Sequence, residues 1–288
     1  MRKLIILSAL LLSQTVFGQL SATLKANRDQ FVAFEPVNMT VNITNLSGKP
    51  LTLQNRTNQP WIEFFVRDHT GRNVLSTKDV AYSPVSIGTG QTVASTFTLN
   101  NSFNLTNPGS YSVLAVIRMP GEGDRKGTPT QSTHFTVTRG VTAWSQSVGV
   151  PGTAGDQRKY RLITFSGDKY PELYIQVEDQ KRGRMLATHS LGRHITFRKF
   201  QTSLDRQNNL HVLFHTSPSV ACHTVINPAG RTIERTYHKN SATGVPRLLP
   251  TTSGNVSVVN SIPYDPQKEA EEKAKFHNIS EIPGGVQQ

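Results

Sequence analysis

Leu173-Tyr-Ile-Gln-Val177, followed after a turn by Gly192-Arg193-His194-Ile195, is echoed by Leu210-His-Val-Leu-Phe214 and, after another turn, by Gly230-Arg231-Thr232-Ile233. Equivalent residues stand 37 to 38 positions apart, counting Leu173 to Leu210 and Gly192 to Gly230. That spacing falls in the range of stacked or radial β units. A closed ring needs at least about four such units, so two copies describe a single meander with repeated hairpin grammar. Strands are expected at Tyr160–Phe165, Glu172–Val177, Arg184–His189, His194–Phe200, Leu210–His215, Val220–Ile226 and Thr232–His238. Ser166-Gly-Asp168, Lys181-Arg-Gly183, Asp205 to Asn209, Ser217-Pro-Ser219 and Asn227 to Gly230 supply residues that tolerate turn dihedrals. Connections this short force sequence neighbours to pair antiparallel.

Upstream, from Leu20 to Val137, the pattern has period two. Val37, Met39, Val41 and Ile43 alternate with Asn38, Thr40, Asn42 and Thr44, giving one apolar face and one wet face. Trp61 to Val66 is more continuously apolar, as a central strand should be. Later strands are read at Val93–Leu99, Tyr111–Ile117 and Thr133–Val137. This many short strands with regular turn signals argue for two packed antiparallel sheets. Sequons at Asn38, Asn42, Asn45 and Asn55 are read as Asn and Thr filling the wet face.

Phe34-Glu-Pro-Val37 with Val41-Asn-Ile-Thr-Asn45, Phe65-Val-Arg-Asp68 with Gly71, and Phe103-Asn-Leu105 leading to Pro108-Gly-Ser-Tyr111 resemble bacterial immunoglobulin-like domains. The resemblance implies a β-sandwich in which the Pro-Gly turn returns Tyr111 to the core; for function it implies little. One such family, the intracellular proteinase inhibitors of bacilli, has a comparable strand order, but no inhibitory loop can be matched here. In the second half, Asp205 to Phe214 is similar to β-propeller blades that begin with an Asp/Asn turn and a His-Val strand.

The fold class expected is therefore all-β: an immunoglobulin-like sandwich at 19–139, a linker at 140–156, and an antiparallel meander at 157–250. A largely irregular tail follows at 251–288, with a strand near Ser253–Asn260 and a short helix near 266–277 opened by Asp265-Pro266. Residues 1–18 read as a signal peptide: Arg2 and Lys3, an apolar Leu4–Leu12, then Val16 and Gly18 before the cut. That apolar run is too short to span a bilayer, which takes about 20 residues. The mature chain is expected to be exported, periplasmic or secreted, and not membrane-spanning.

The net charge is +12. Between Arg158 and Arg206 stand eleven Lys and Arg, with far fewer acids. Such a surface attracts polyanions, which for an exported chain means anionic polysaccharide or another envelope polymer. No nucleic-acid motif is present. Candidate binding residues are Arg182, Arg184, Arg193, His194, Arg198, His211, His215 and His223. His211 and His215 share a strand face but stand about 13 Å apart, too far to share a metal. His215 and His223 flank a turn and could approach across strands, yet two imidazoles are an incomplete zinc site. The expectation is wet-face histidines, no metal and no cofactor. Cys222, the sole cysteine, is read as a small buried strand residue, and Trp144 as packing where the domains meet.

Nucleophile elbows, Walker loops and dinucleotide fingerprints do not occur. The function expected is that of an exported non-catalytic protein binding an anionic glycan or envelope polymer. A structural or adaptor protein contacting another envelope protein is the alternative, and an unrecognised hydrolase in the second domain a lesser one.

Overall fold

The computed structural model describes residues 19–279 apart from 58, 79, 121–126 and 168. The expected signal peptide and the end of the tail lie outside the described residues. In chain order the strands begin with β1 (Leu20–Ala26), β2 (Gln30–Val32), β3 (Asn38–Asn45), β4 (Leu51–Leu53), β5 (Ile62–Arg67) and β6 (Asn73–Val74). Then come β7 (Val85–Ile87), β8 (Thr92–Thr98), β9 (Gly109–Ile117), β10 (Thr128–Pro129) and β11 (Thr133–Thr138). The second half holds β12 (Val141–Val150), β13 (Thr153–Ser166), β14 (Pro171–Asp179), β15 (Arg184–Arg193), β16 (Gln201–Leu204) and β17 (Leu210–His215). It ends with β18 (Val220–Ile226), β19 (Thr232–Asn240), β20 (Arg247–Pro250), β21 (Val256–Val259), β22 (Ser261–Tyr264) and the helix α1 (Pro266–Ile279). Among the described residues the chain is all-β with one short α-helix.

Two compact units form, and they do not follow the sequence order strictly. Of the described residues, the first takes those up to 27, 37–104 and 110–135; the second takes 28–36, 105–109 and those from 136. In the first, β3 lies between β1 and β8, all antiparallel. Its period-two pattern does what it must: Met39, Val41 and Ile43 are fully buried, while Thr40 and Thr44 pair across the wet face with Thr96 and Thr92. Strand β5 pairs with β9 and β6. Buried Trp61 donates its indole N–H to the Ser83 carbonyl at 3.1 Å, the partner a buried indole needs. Tyr111 is buried against Phe135, rings 5.4 Å apart and stacked. Asn45 departs from the wet-face reading. It is buried, and its amide donates to the carbonyls of Lys49 and Ile87, so it ties the β3–β4 turn to the end of β7.

The second unit contains two consecutive antiparallel meanders, β12-β13-β14-β15 and β16-β17-β18-β19 with β22 added at the edge. They share one core. Leu173, Ile175 and Val177 of β14 and Leu210, Val212 and Phe214 of β17 enter it together, with Cys222 and Ile226 of β18. The two halves of the echoed sequence are thus equivalent at their first strands, which meet in the core of a sandwich. Their second strands are not equivalent: Gly192 closes β15, whereas Gly230 lies in the turn before β19. The expected strand at His194–Phe200 is instead the connection from β15 to β16.

Residues 140–156, expected to be a linker, form β12 and the start of β13. Their Gly, Ser and Thr content resembles a loop, but Val148 is buried and Trp144 packs beside it on the core of this unit. Strand β14 is buried on both sides. Its other face carries Tyr174 and Gln176, with Gln176 donating to the Ala33 carbonyl at 2.9 Å. Tyr174 also packs with Val32, Ile163 and Phe165. Beside it, Arg28 pairs with Glu35 at 3.3 Å.

Candidate functional site

The eight candidate binding residues are distributed over four places. Arg182 and Arg184 lie at the β14–β15 hairpin, where acids meet the basic side chains. Asp179, almost wholly buried, is 2.9 Å from Arg182 and 3.3 Å from Arg158. Asp156 pairs with Lys181 at 2.8 Å, and Arg161 with Glu178. The hydrogen bond from Arg182 holds the Asp179 carboxyl below its ordinary range. Much of the positive charge read from the sequence is therefore answered locally.

The other end of β15 differs. Arg193 pairs in register with Glu172, as Arg184 does with Asp179, and nine residues of strand put the two ends about 30 Å apart. The Arg193 guanidinium lies 4.5 Å over the Tyr170 ring. It borders a cavity of about 420 Å³ whose wall also includes Ser217, Arg235, Tyr237 and Tyr264. The topology explains the convergence. Arg235 and Tyr237 are two apart on β19 and so share a face, and Tyr264 on β22 is the register partner of Tyr237. Lys239, on the same face, sits 4.3 Å over the Tyr264 ring and 2.8 Å from Glu269. Among the described residues neither Arg193 nor Arg235 has a carboxylate within ion-pair distance. Burial raises the Tyr237 hydroxyl above its ordinary pKa, with the neighbouring Cys222 adding to the effect. At neutral pH that hydroxyl is a donor.

A larger cavity of about 590 Å³ lies in the first unit, lined in part by Asn55, Arg56, Glu63 and Phe64. Its charges are of mixed sign: Arg56 donates to the Met119 carbonyl at 3.0 Å, Glu63 pairs with Arg118 at 2.5 Å, and Lys78 adds a second cation to the lining. It offers an anion less than the Arg193 cleft does.

The histidines are not on a wet face. His194, His211, His215 and His223 are all buried, 4–7% exposed. His194 and His215 belong with Arg198 around the β15–β16 connection, where the Ile195 amide donates to the His215 carbonyl at 3.0 Å. Among the described residues neither ring nitrogen of His215 has a hydrogen-bond partner. Burial, then Arg198 and His194, lowers its pKa, so it is neutral at pH 7.

His223 approaches His211 rather than His215. The β17–β18 register sets His223 opposite Leu213 and His215 opposite Ala221, and the rings of His211 and His223 stack at 5.2 Å with nitrogens 3.0 Å apart. Asp205 faces the other nitrogen of His211 at 3.4 Å. Among the described residues no three His, Cys, Asp or Glu side chains converge to hold a metal. Cys222 is buried in the core as a small strand residue, its thiol pushed up by burial.

Sequence reasoning found Arg193 but missed Arg235, Tyr237 and Tyr264. The alternation of Arg235, Tyr237 and Lys239 on one strand was the available signal. Tyr264 carried none, because only pairing of β22 to β19 brings it there.

No protein-family model and no curated protein matches the chain. Among solved structures, a CARDB domain from Pyrococcus furiosus is similar at 17% identity, covering 41% of this chain and 87% of that one, with a TM-score of 0.25. The sporulation control protein Spo0M from Bacillus subtilis is similar at 12% identity, covering 60% and 91%, with a TM-score of 0.28. Among the described residues no helix is long and apolar enough to cross a membrane.

Proposed function

We propose that this is an exported, non-catalytic binding protein whose ligand is an anionic glycan or envelope polymer held in the Arg193–Arg235 cleft. One observation carries the reading: two guanidinium groups without carboxylate partners among the described residues border a cavity walled by Tyr237 and Tyr264. Guanidinium forks suit carboxylate, sulfate or phosphate groups, and tyrosine rings offer apolar faces with polar tips to the sugars between them. Residues 1–18 serve as the export signal in this reading, and the first unit is an immunoglobulin-like module.

The test is retention on immobilised heparin as a function of salt. Wild-type protein elutes at moderate salt, and the Arg193→Ala/Arg235→Ala double variant elutes markedly earlier. Retention that ignores ionic strength, or a double variant that matches wild type, refutes the reading.

A second reading, an adaptor, has one observation in its favour. Strand β12 runs ten residues without a charge or a proline and, among the described residues, ends its sheet, paired only with β13. Uncharged edges accept an added strand. Recovery of one envelope protein in a pull-down, lost when Lys replaces Ser145, would favour it.

A further inference from the structure

From Arg193 to Tyr264 the chain carries eight Lys and Arg against two acids, Asp205 and Glu234. Antiparallel pairing sends both acids towards one end of the sheet β16-β17-β18-β19-β22. Asp205 opens the β16–β17 turn, and Glu234 pairs with Val225 beside the β18–β19 turn. The other end is formed by the β15–β16 connection, the β17–β18 turn and the segment between β19 and β20. These three are tied together. The Ile195 amide donates to the His215 carbonyl at 3.0 Å, and the Asn240 amide to the Ser219 carbonyl at 3.3 Å. The Gln201 side chain donates to the Pro246 carbonyl at 3.4 Å and accepts from the Leu248 amide at 3.0 Å. None of the three segments contains an acid. Of the acids on neighbouring elements, Glu172 is paired with Arg28, and Glu269 with Lys239 and Lys273.

At this end the Arg198 amide closes a turn on the Ile195 carbonyl at 3.3 Å, which puts Thr196 and Phe197 at the corner. Phe197 is 74% exposed, and Val245 in the adjoining segment is exposed as well. Lys199 and Arg247 are exposed, and Arg198 is half-buried. Among the described residues none of these three cations has a carboxylate within ion-pair distance. A lone exposed apolar residue is ordinary. An aromatic ring at the corner of a cationic turn is the pairing that a lipid–water interface takes up.

We propose that this end of the second unit docks on an anionic phospholipid surface, with Phe197 entering the headgroup layer and Lys199, Arg247 and Arg198 meeting the phosphates.

The form of the surface favours a lipid over a folded partner or a sugar. Phe197 stands out from a turn, so it has no wall against which a sugar ring or a partner's side chain could be enclosed. It is buried only by a medium that closes around it, as a headgroup layer does. The cations supply the attraction, roughly fivefold in partitioning for each Lys or Arg at an anionic surface. Their long stems let the charges stay level with the phosphates while the ring goes deeper. The Arg193–Arg235 cleft plays no part, and the two readings are tested separately.

Sedimentation of the full chain with vesicles checks the proposal. Binding is expected to mixed phosphatidylglycerol and phosphatidylcholine vesicles, and not to phosphatidylcholine alone. A chain of charge +12 adheres to many anionic surfaces, so the substitutions carry the test. Phe197→Ser should weaken binding at least about tenfold, and Lys199→Gln about fivefold. The controls stand at the opposite end of the sheet: Ile233, 54% exposed where β19 begins, and the exposed Arg231. Ile233→Ser should leave binding unchanged, and Arg231→Gln should weaken it much less than Lys199→Gln. Phe197→Trp should add an emission that vesicles shift to the blue and brominated lipid quenches. Binding that ignores Phe197→Ser, equal losses from Lys199→Gln and Arg231→Gln, or a Phe197→Trp emission that vesicles leave unshifted overturns the proposal. Absence of vesicle binding does so too; self-association lost in Phe197→Ser would then assign this end to a second copy of the chain. Elution from heparin should be the same for Phe197→Ser as for wild type, and failure to bind heparin would refute the cleft reading alone.

Discussion

Gly230 approaches Ala187 so closely that a Cβ on the glycine would stand 2.4 Å from the alanine Cβ. The glycine also has φ of +82°, in the left-handed region. The β18–β19 turn therefore meets β15 at a point where only a bare backbone fits. Gly230→Ala should destabilise the second unit by roughly 2–4 kcal/mol, combining left-handed strain with overpacking. Gly183, at φ +60° with open space around it, is the control; Gly183→Ala should cost only the strain, about 1 kcal/mol. Urea unfolding of the two variants checks the difference, and equal midpoints would contradict the close approach.

Stability should fall as the solution is acidified below the ordinary histidine range. His223 takes up a proton near pH 6.5 when unfolded but near pH 4 in the fold. The unfolded chain binds more protons across that interval, so the contribution is complete above about pH 6.5 and is lost progressively towards pH 4. The loss is on the order of 3 kcal/mol from this group. His194, His215 and His238, also lowered chiefly by burial, act in the same direction. Urea titrations at several pH values should show a positive slope that flattens in His223→Gln.

The contrast between Arg182 and Arg193 predicts unequal effects of identical substitutions. Arg182 is paired with Asp179 and Asp156, whereas Arg193 faces the cleft over Tyr170. Arg193→Ala should lower the salt needed for elution from heparin. Arg182→Ala should shift it much less, because the acids it leaves behind are still answered by Arg158 and Lys181. Equal shifts would mean that bulk charge, not the cleft, governs retention.

Tyr174 is fully buried, donates to Glu35 at 3.2 Å and accepts from Arg28. Tyr174→Phe should cost about 1–2 kcal/mol, because Glu35 loses a donor in a place water does not replace it. Urea unfolding measures this directly; a variant as stable as wild type would mean that water substitutes for the hydroxyl.

Much of the fold was legible in the chain. Alternation of apolar and polar residues is a local property, and it marked β3, β5, β14, β17 and β18 where they occur. Residues 140–156 misled because Gly, Ser and Thr also suit an edge strand whose faces are mostly exposed. Asn45 misled for the opposite reason: an amide can be buried if carbonyls meet it, and those of Lys49 and Ile87 come from the β3–β4 turn and the end of β7.

The histidines mark the boundary between what composition and position reveal. Sequence placed His211 and His223 on adjacent strands and ruled out a shared metal for His211 and His215 from strand rise. It could not say that the face they share is buried, because burial depends on what covers that face. Nor could it say that His223 meets His211, since register is set by the turn and by packing across the sheet.

By itself, then, the sequence determined the all-β class, the antiparallel order of neighbours and the excess of positive charge, all of which depend on local alternation, short connections and counting. Only the tertiary structure decided which charges are answered and which remain. Arg182 and Arg193 are the same residue type near the two ends of β15, and only Asp179, three residues before Arg182, separates them locally. The rest is the arrival, through strand pairing, of Asp156 at one and of Arg235, Tyr237 and Tyr264 at the other. Coulomb interactions act over a few ångströms of space, and distance in space is what the chain does not record.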